Sequence, residues 1–117
     1  MLPRQRRVTR RQFPLALKQS RAWHSPLLSL RVAPRPSKDG HQSTSFAFVV
    51  SHKVAAEAVD RNKLKRRARA IVRELLPRVK DNYVCLLFFK KEAATLSYQE
   101  LRRVIREIIT HNHVISL

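Results

Sequence analysis

Seven consecutive apolar residues, Tyr83 to Phe89, restrict this chain more than any other feature. A strand with one wet face alternates apolar and polar side chains, so an unbroken run requires cover on both faces of a sheet. The run therefore reads as a central strand, and it demands layers above and below. A chain of 117 residues has room for one such core and no second domain. The helices that supply the cover are also legible. From about Ala55 to Leu76 there is no Gly or Pro until Pro77 stops the segment, and Leu64, Ala68, Ile71 and Leu75 recur at helical spacing as one stripe. Ser97 and Glu100 make a capping box, followed by Leu101, Val104, Ile105, Ile108 and Ile109 at i, i+3, i+4, i+7 and i+8.

The N-terminal half supplies the remaining elements. Thr9 and Gln12 fit a second capping box, with Val8 and Phe13 at the spacing of a hydrophobic staple, so a helix is expected from Arg10 to near Arg21. Pro14 falls at the edge of where a helix tolerates proline and is expected to delay the start or distort the first turn. Alternation through Leu28, Leu30 and Val32 predicts a strand, ended by Pro34, Pro36 and the Asp39-Gly40 pair in a loop over 34–43. Thr44 to Val50 alternates again, with Phe46, Phe48 and Val50 on one side, and is expected to pair antiparallel with the first strand. A further short strand near 51–54 is an option. The order helix-strand-strand-helix-strand-helix describes an α+β fold, a small α/β sandwich with one mixed sheet over 1–117, with 1–8 and 111–117 as tails.

Charge decides the class of partner. The 25 Lys and Arg against 8 Asp and Glu leave +17, a self-repulsion best tolerated beside a polyanion. Seven of the cations lie between Arg61 and Arg73 with no acid among them: Arg61, Lys63, Lys65, Arg66, Arg67, Arg69 and Arg73. At about 100° per residue, Lys65, Arg66, Arg69 and Arg73 gather opposite the Leu64 stripe with Asn62 among them. Solvated helix faces normally intersperse Glu for i,i+4 pairing, and here that pairing is missing. Guanidinium forks and a planar amide suit phosphate oxygens and ribose hydroxyls. Single strands further ask for apolar platforms beside cations, for which Phe13, Phe46 and Phe48 are the aromatic candidates, each of them also a candidate for the core. Phe13 is the one singled out.

Other chemistries find less support. The acids are spread from Asp39 to Glu107, close only at Glu57 and Asp60, and so do not outline a metal-dependent nuclease site. His111, Asn112 and His113 form an HxH triplet near a fraying end, without carboxylate or thiol alongside, and read as solvated. No metal ligands and no catalytic residues are assigned. Cys85, alone of its kind, excludes a disulfide framework and fits a reducing, cytoplasmic setting. No run reaches the length of a membrane span. The first 38 residues hold ten Lys and Arg and no acid, which also fits a cleavable targeting segment, and that alternative stays open.

The stretch Lys53-Val54-Ala55-Ala56-Glu57-Ala58-Val59-Asp60-Arg61-Asn62-Lys63-Leu64-Lys65-Arg66-Arg67-Ala68-Arg69 resembles the signature of the bacterial ribonuclease P protein component, whose usual core reads Arg-Asn-Arg-x-Lys-Arg-x-x-Arg. The likeness continues through the strand before it, the apolar strand from Tyr83 and the helix start at Leu96 to Leu101. It implies a ribosomal protein S5 domain 2-like fold with a left-handed crossover between the strand ending at Val50 and the one beginning at Tyr83, against the usual hand. It implies a role as the RNA-binding subunit of an endonuclease that removes 5′ leaders from precursor tRNA, with hydrolysis performed by the RNA subunit. Mg²⁺ would be held mainly by that RNA, one protein would bind per RNA, and no organic cofactor is implied. Lys53, Arg61, Asn62, Lys63, Lys65, Arg66, Arg69 and Arg73 would face the RNA. A leader cleft between the first helix and the sheet would take Phe13, Leu17, Arg21, Arg11, Phe46 and Phe48. Lys63 stands where the family usually has Arg, Ala70 where an acid is common, and Leu17 where a second aromatic is common. A small basic ribosomal protein and a free-standing metal-dependent nuclease remain the competing readings.

Overall fold

A computed structural model describes residues 2–3, 6–35 and 43–112. The helices are α1 (Gln12–Gln19), α2 (Ala58–Leu75) and α3 (Tyr98–His111), and the strands are β1 (Arg21–His24), β2 (Leu28–Pro34), β3 (Ser45–Val49) and β4 (Tyr83–Phe89). They form one mixed sheet in the order β1-β2-β4-β3, so the mixed α+β layout expected above is the one found. The loop positions Pro36, Asp39 and Gly40, together with His113, lie outside the described residues.

The long apolar strand β4 sits between β2, to which it is antiparallel, and β3, to which it is parallel. Its odd positions, Cys85, Leu87 and Phe89, join Leu28, Leu30 and Phe46 beneath Leu64, Ala68, Ile71, Leu101 and Ile105 of α2 and α3. Its even positions, Val84, Leu86 and Phe88, join Ala33 and Ala47 on the side of α1, where Ala16, Val8 and Phe13 cover them. That two-sided cover is what the run required. Cys85 is fully buried, and loss of hydration pushes its thiol pKa far up, so it serves as a small apolar side chain.

Three expectations are corrected. β3 does not pair with β2: β4 lies between them, and α2 carries the chain from β3 to its parallel neighbour, a connection that needs a crossover element. Alternation identifies a strand and is silent about its neighbour. Residues 51–54 form a turn, with Val54 N–H donating to Ser51 O at 3.0 Å, and the additional strand is β1 instead. The first helix therefore ends at Gln19 rather than near Arg21. Ser20 turns extended and its hydroxyl donates to Leu17 O at 2.9 Å, while β1 pairs with β2 from Arg21↔Val32 to His24↔Ser29. With four residues, β1 is too short to show a period of its own.

Both capping boxes form. Thr9 N–H donates to Gln12 Oε1 at 3.0 Å and Gln12 N–H to Thr9 Oγ1 at 3.1 Å, although the helix proper begins at Gln12 rather than Arg10. Pro14 occupies the first turn, where its missing N–H leaves no helical bond unmade. At α3, Glu100 N–H donates to Ser97 Oγ and Ser97 N–H to Glu100 Oε1, at 3.2 and 3.1 Å. The Ser97 N–H, which favours the ionised form, holds the Glu100 carboxyl below its usual 4.5. Because the folded pKa is depressed, this stabilisation is full above the ordinary carboxylate range and fades as pH falls through the lowered value. Thermal melts of Glu100→Gln are expected to depend less on pH than those of the parent between about pH 6 and pH 3. Parallel curves would show that the carboxylate contributes nothing there.

Candidate nucleic-acid interface

Helix α2 presents three sides. Leu64, Ala68, Ile71, Val72 and Leu75 are buried against the sheet. Opposite them, Asn62, Arg66 and Arg73 are exposed. On the flank toward the β3 edge, Lys65 and Arg69 join Arg7 at a cavity of about 290 Å³ whose apolar wall includes Val8, Phe46 and Phe48. On the flank toward α3, Lys63 and Arg67 line a recess of about 340 Å³ with Asp60 and Leu96. Among the described residues no carboxylate pairs with any of the seven cations from Arg61 to Arg73. Their charge is thus left to solvent or to a partner.

Arg61 behaves differently from the rest. Its Nη1 donates to Ala55 O at 3.0 Å and Ala56 O at 2.7 Å, and lies 3.1 Å from His52 Nδ1. The guanidinium braces the turn that leads into α2. Lys53 sits exposed in that same turn. The first Arg of the motif therefore orients the backbone from which Asn62 and Lys63 project, a role the charge pattern does not reveal.

The opposite face of the sheet carries a second surface. Phe13 of α1 meets Phe88 of β4 with ring centroids 6.4 Å apart and planes tilted by 56°. Leu17, one turn beyond Phe13, is 38% exposed. The strand registers align His24, Ser29, Phe88 and Val49 in one row across all four strands, and Ala22, Arg31, Leu86 and Ala47 in the next. His24 Nδ1 lies 2.7 Å from Ser29 Oγ, and Arg31 Nη1 donates to Ser20 Oγ at 3.2 Å. An aromatic pair with an imidazole and a guanidinium on the same open floor can stack a base and hold its phosphate.

This surface redistributes the residues expected in one cleft. Phe46 and Phe48 align with Cys85 and Leu87, so they face α2 and not Phe13. Phe46 is buried, and Phe48 is half-buried at the Lys65 and Arg69 cavity. Arg21 shares the face of Trp23, over which its guanidinium stacks at 5.7 Å, and that parity points toward α3. Arg11 is exposed at the start of α1, on the side away from Phe13. Phe13 and Leu17 remain together. The sequence reading missed Phe88, Arg31 and His24. Arg31, a charged residue in an otherwise largely apolar strand, was the available signal for a partly open face. Phe88 was hidden by the unbroken apolar run.

A family model described as Ribonuclease P matches residues 2–113. The chain belongs to the ribonuclease P protein family. It is 33% identical over 116 residues to the ribonuclease P protein component of a Pseudanabaena strain, covering 98% of this chain and 97% of that one. It is 28% identical over 115 residues to that of Microcystis aeruginosa, covering 97% and 96%. The fold is similar to that of the RNase P protein from Thermotoga maritima, with a TM-score of 0.78 at 20% identity over 90% of this chain and 96% of that one. Membership makes the chain a protein component of ribonuclease P, a tRNA-processing ribonucleoprotein nuclease, and sets aside the ribosomal-protein reading. Among the described residues, no three His, Cys, Asp or Glu side chains gather as a metal site, and no helix is long and apolar enough to cross a membrane.

Proposed function

We propose that this ribonuclease P protein grips the catalytic RNA with one face and the 5′ leader of precursor tRNA with the other. The observation that carries the reading is the set of cations on α2, unpaired among the described residues and held outward by the buried Leu64 to Leu75 stripe. Arg66 and Arg69 offer paired donors to phosphate oxygens, Lys63 and Lys65 offer point charges, and Asn62 can both donate and accept at a ribose. Each phosphate neutralised releases counterions, which lets two polyanions approach. On the α1 face, Phe13 and Phe88 give an unpaired leader base a stacking platform, with Arg31 beside it for the backbone.

Hydrolysis belongs to the RNA in this reading. Mg²⁺ prefers oxygen ligands and retains much of its water, and in this reading RNA phosphates hold it; among the described residues the carboxylates do not gather into such a cage. The protein contributes by lowering repulsion where RNA, substrate and metal meet. One protein serves each RNA, in the cytoplasm. Adding the chain to ribonuclease P RNA at low Mg²⁺ is expected to raise the rate of precursor-tRNA processing. An RNA that processes equally well without it, at every Mg²⁺ concentration, overturns the reading.

A further inference from the structure

A second basic surface lies outside the motif. On α3, Gln99, Arg102, Arg103 and Arg106 fall within about 100° of arc, opposite Leu101, Ile105 and Ile108. Those four side chains alone line a recess of about 290 Å³. No acid enters its lining. Of the nearby carboxylates, Glu100 closes the capping box with Ser97 and feels the charge of Arg103 without forming an ion pair with it, and Glu107 lines the separate cleft beside Trp23. Glu74 of α2 accepts from Arg102 Nε at 2.9 Å and lies 3.5 Å from Tyr98 Oη. That contact fixes Arg102 against α2 and leaves Arg103 and Arg106 as exposed cations on the outer side of α3.

We propose that the outer face of α3 is a second phosphate-binding surface, seated on a backbone segment of the RNA partner distinct from the one gripped by α2. The proposal rests on the reading of that partner as RNA. Two guanidiniums free of an ion pair among the described residues, Arg103 and Arg106, on successive turns with the Gln99 amide beside them, match successive phosphates of a nucleic-acid backbone better than one small anion. The α2 and α3 helices cover the same face of the sheet, so both surfaces look outward from one layer. Glu74, on α2 and paired with Arg102 of α3, puts a carboxylate between the two surfaces. Two patches divided by an acid suit two RNA segments.

The test compares Arg103→Ala/Arg106→Ala with Arg66→Ala/Arg69→Ala for binding to ribonuclease P RNA across a salt series, with hydroxyl-radical footprints of each complex. Arg102 is left intact because it holds Glu74. The α3 variant is expected to keep the parent melting temperature and to lower the log-log salt slope by nearly two units, about 0.9 per phosphate contact. Between about 50 and 200 mM salt, that makes its loss of affinity roughly tenfold smaller than the parent's. The two footprints are expected to open different nucleotides, and the slope changes to add when the variants are combined. An unchanged slope for the α3 variant beside a reduced slope for the α2 variant overturns this inference and leaves the proposed function standing. Unchanged slopes for both overturn the two together. Identical footprints reject the second segment.

Discussion

Arg66→Ala/Arg69→Ala is expected to weaken binding to ribonuclease P RNA and to lower its log-log salt slope by close to two units, about 0.9 for each phosphate contact removed. The two side chains differ in what else they do. Arg66 is exposed, and its truncation alone should leave stability within about 0.5 kcal/mol. Arg69 lies half-buried at the cavity walled by Val8, Phe46 and Phe48, so its aliphatic stem contributes packing and its loss should lower the melting temperature slightly. A salt series separates these effects, since lost packing shifts the binding curve without altering its slope. A slope identical to the parent's would remove α2 from the RNA interface.

The second large effect is a contrast between two phenylalanines. Phe13→Ala is expected to weaken precursor tRNA, relative to mature tRNA, by about 1–3 kcal/mol, the worth of one stacked base. Phe46→Ala is expected to destabilise the fold by about 3–5 kcal/mol, because its ring is 2% exposed in the core beneath α2 and little can collapse into the space it vacates. Binding of both RNAs should then fall together, in proportion to the folded fraction. Equilibrium denaturation and paired binding isotherms check the two claims. Equal losses for both tRNAs in Phe13→Ala, with a lowered unfolding midpoint, would make Phe13 a core residue and empty the α1 face of its proposed role.

That contrast also marks how far the sequence reached. Phe13 and Phe46 carry the same side chain at amphipathic positions, and the notion that they share a cleft is reasonable until strand neighbours are known. Parallel pairing of β3 with β4 aligns Phe46 with Cys85, on the face opposite Phe88, and so separates the two rings by the thickness of the sheet. Arg21 moves for a related reason: once it opens β1 instead of closing α1, alternation places it with Trp23, away from Phe13. Arg61 keeps its place in the motif and takes on an added task, because the turn beneath it exposes two carbonyls that its guanidinium can reach.

By itself the sequence determined what is periodic or additive. The apolar run required a strand covered on both faces, the Leu64 stripe set which side of α2 turns inward, the Ser97 and Glu100 pair started α3, and the excess of cations called for a polyanion. These are properties of neighbouring residues and of sums, and they need no knowledge of the remainder of the chain. Tertiary structure alone decided which strand lies beside which, that the four residues from Arg21 to His24 are a strand at all, and that His24, Ser29 and Phe88 fall into one row. Such facts depend on hydrogen bonds between segments tens of residues apart, whose register is fixed only when the helices dock and the sheet closes on both sides.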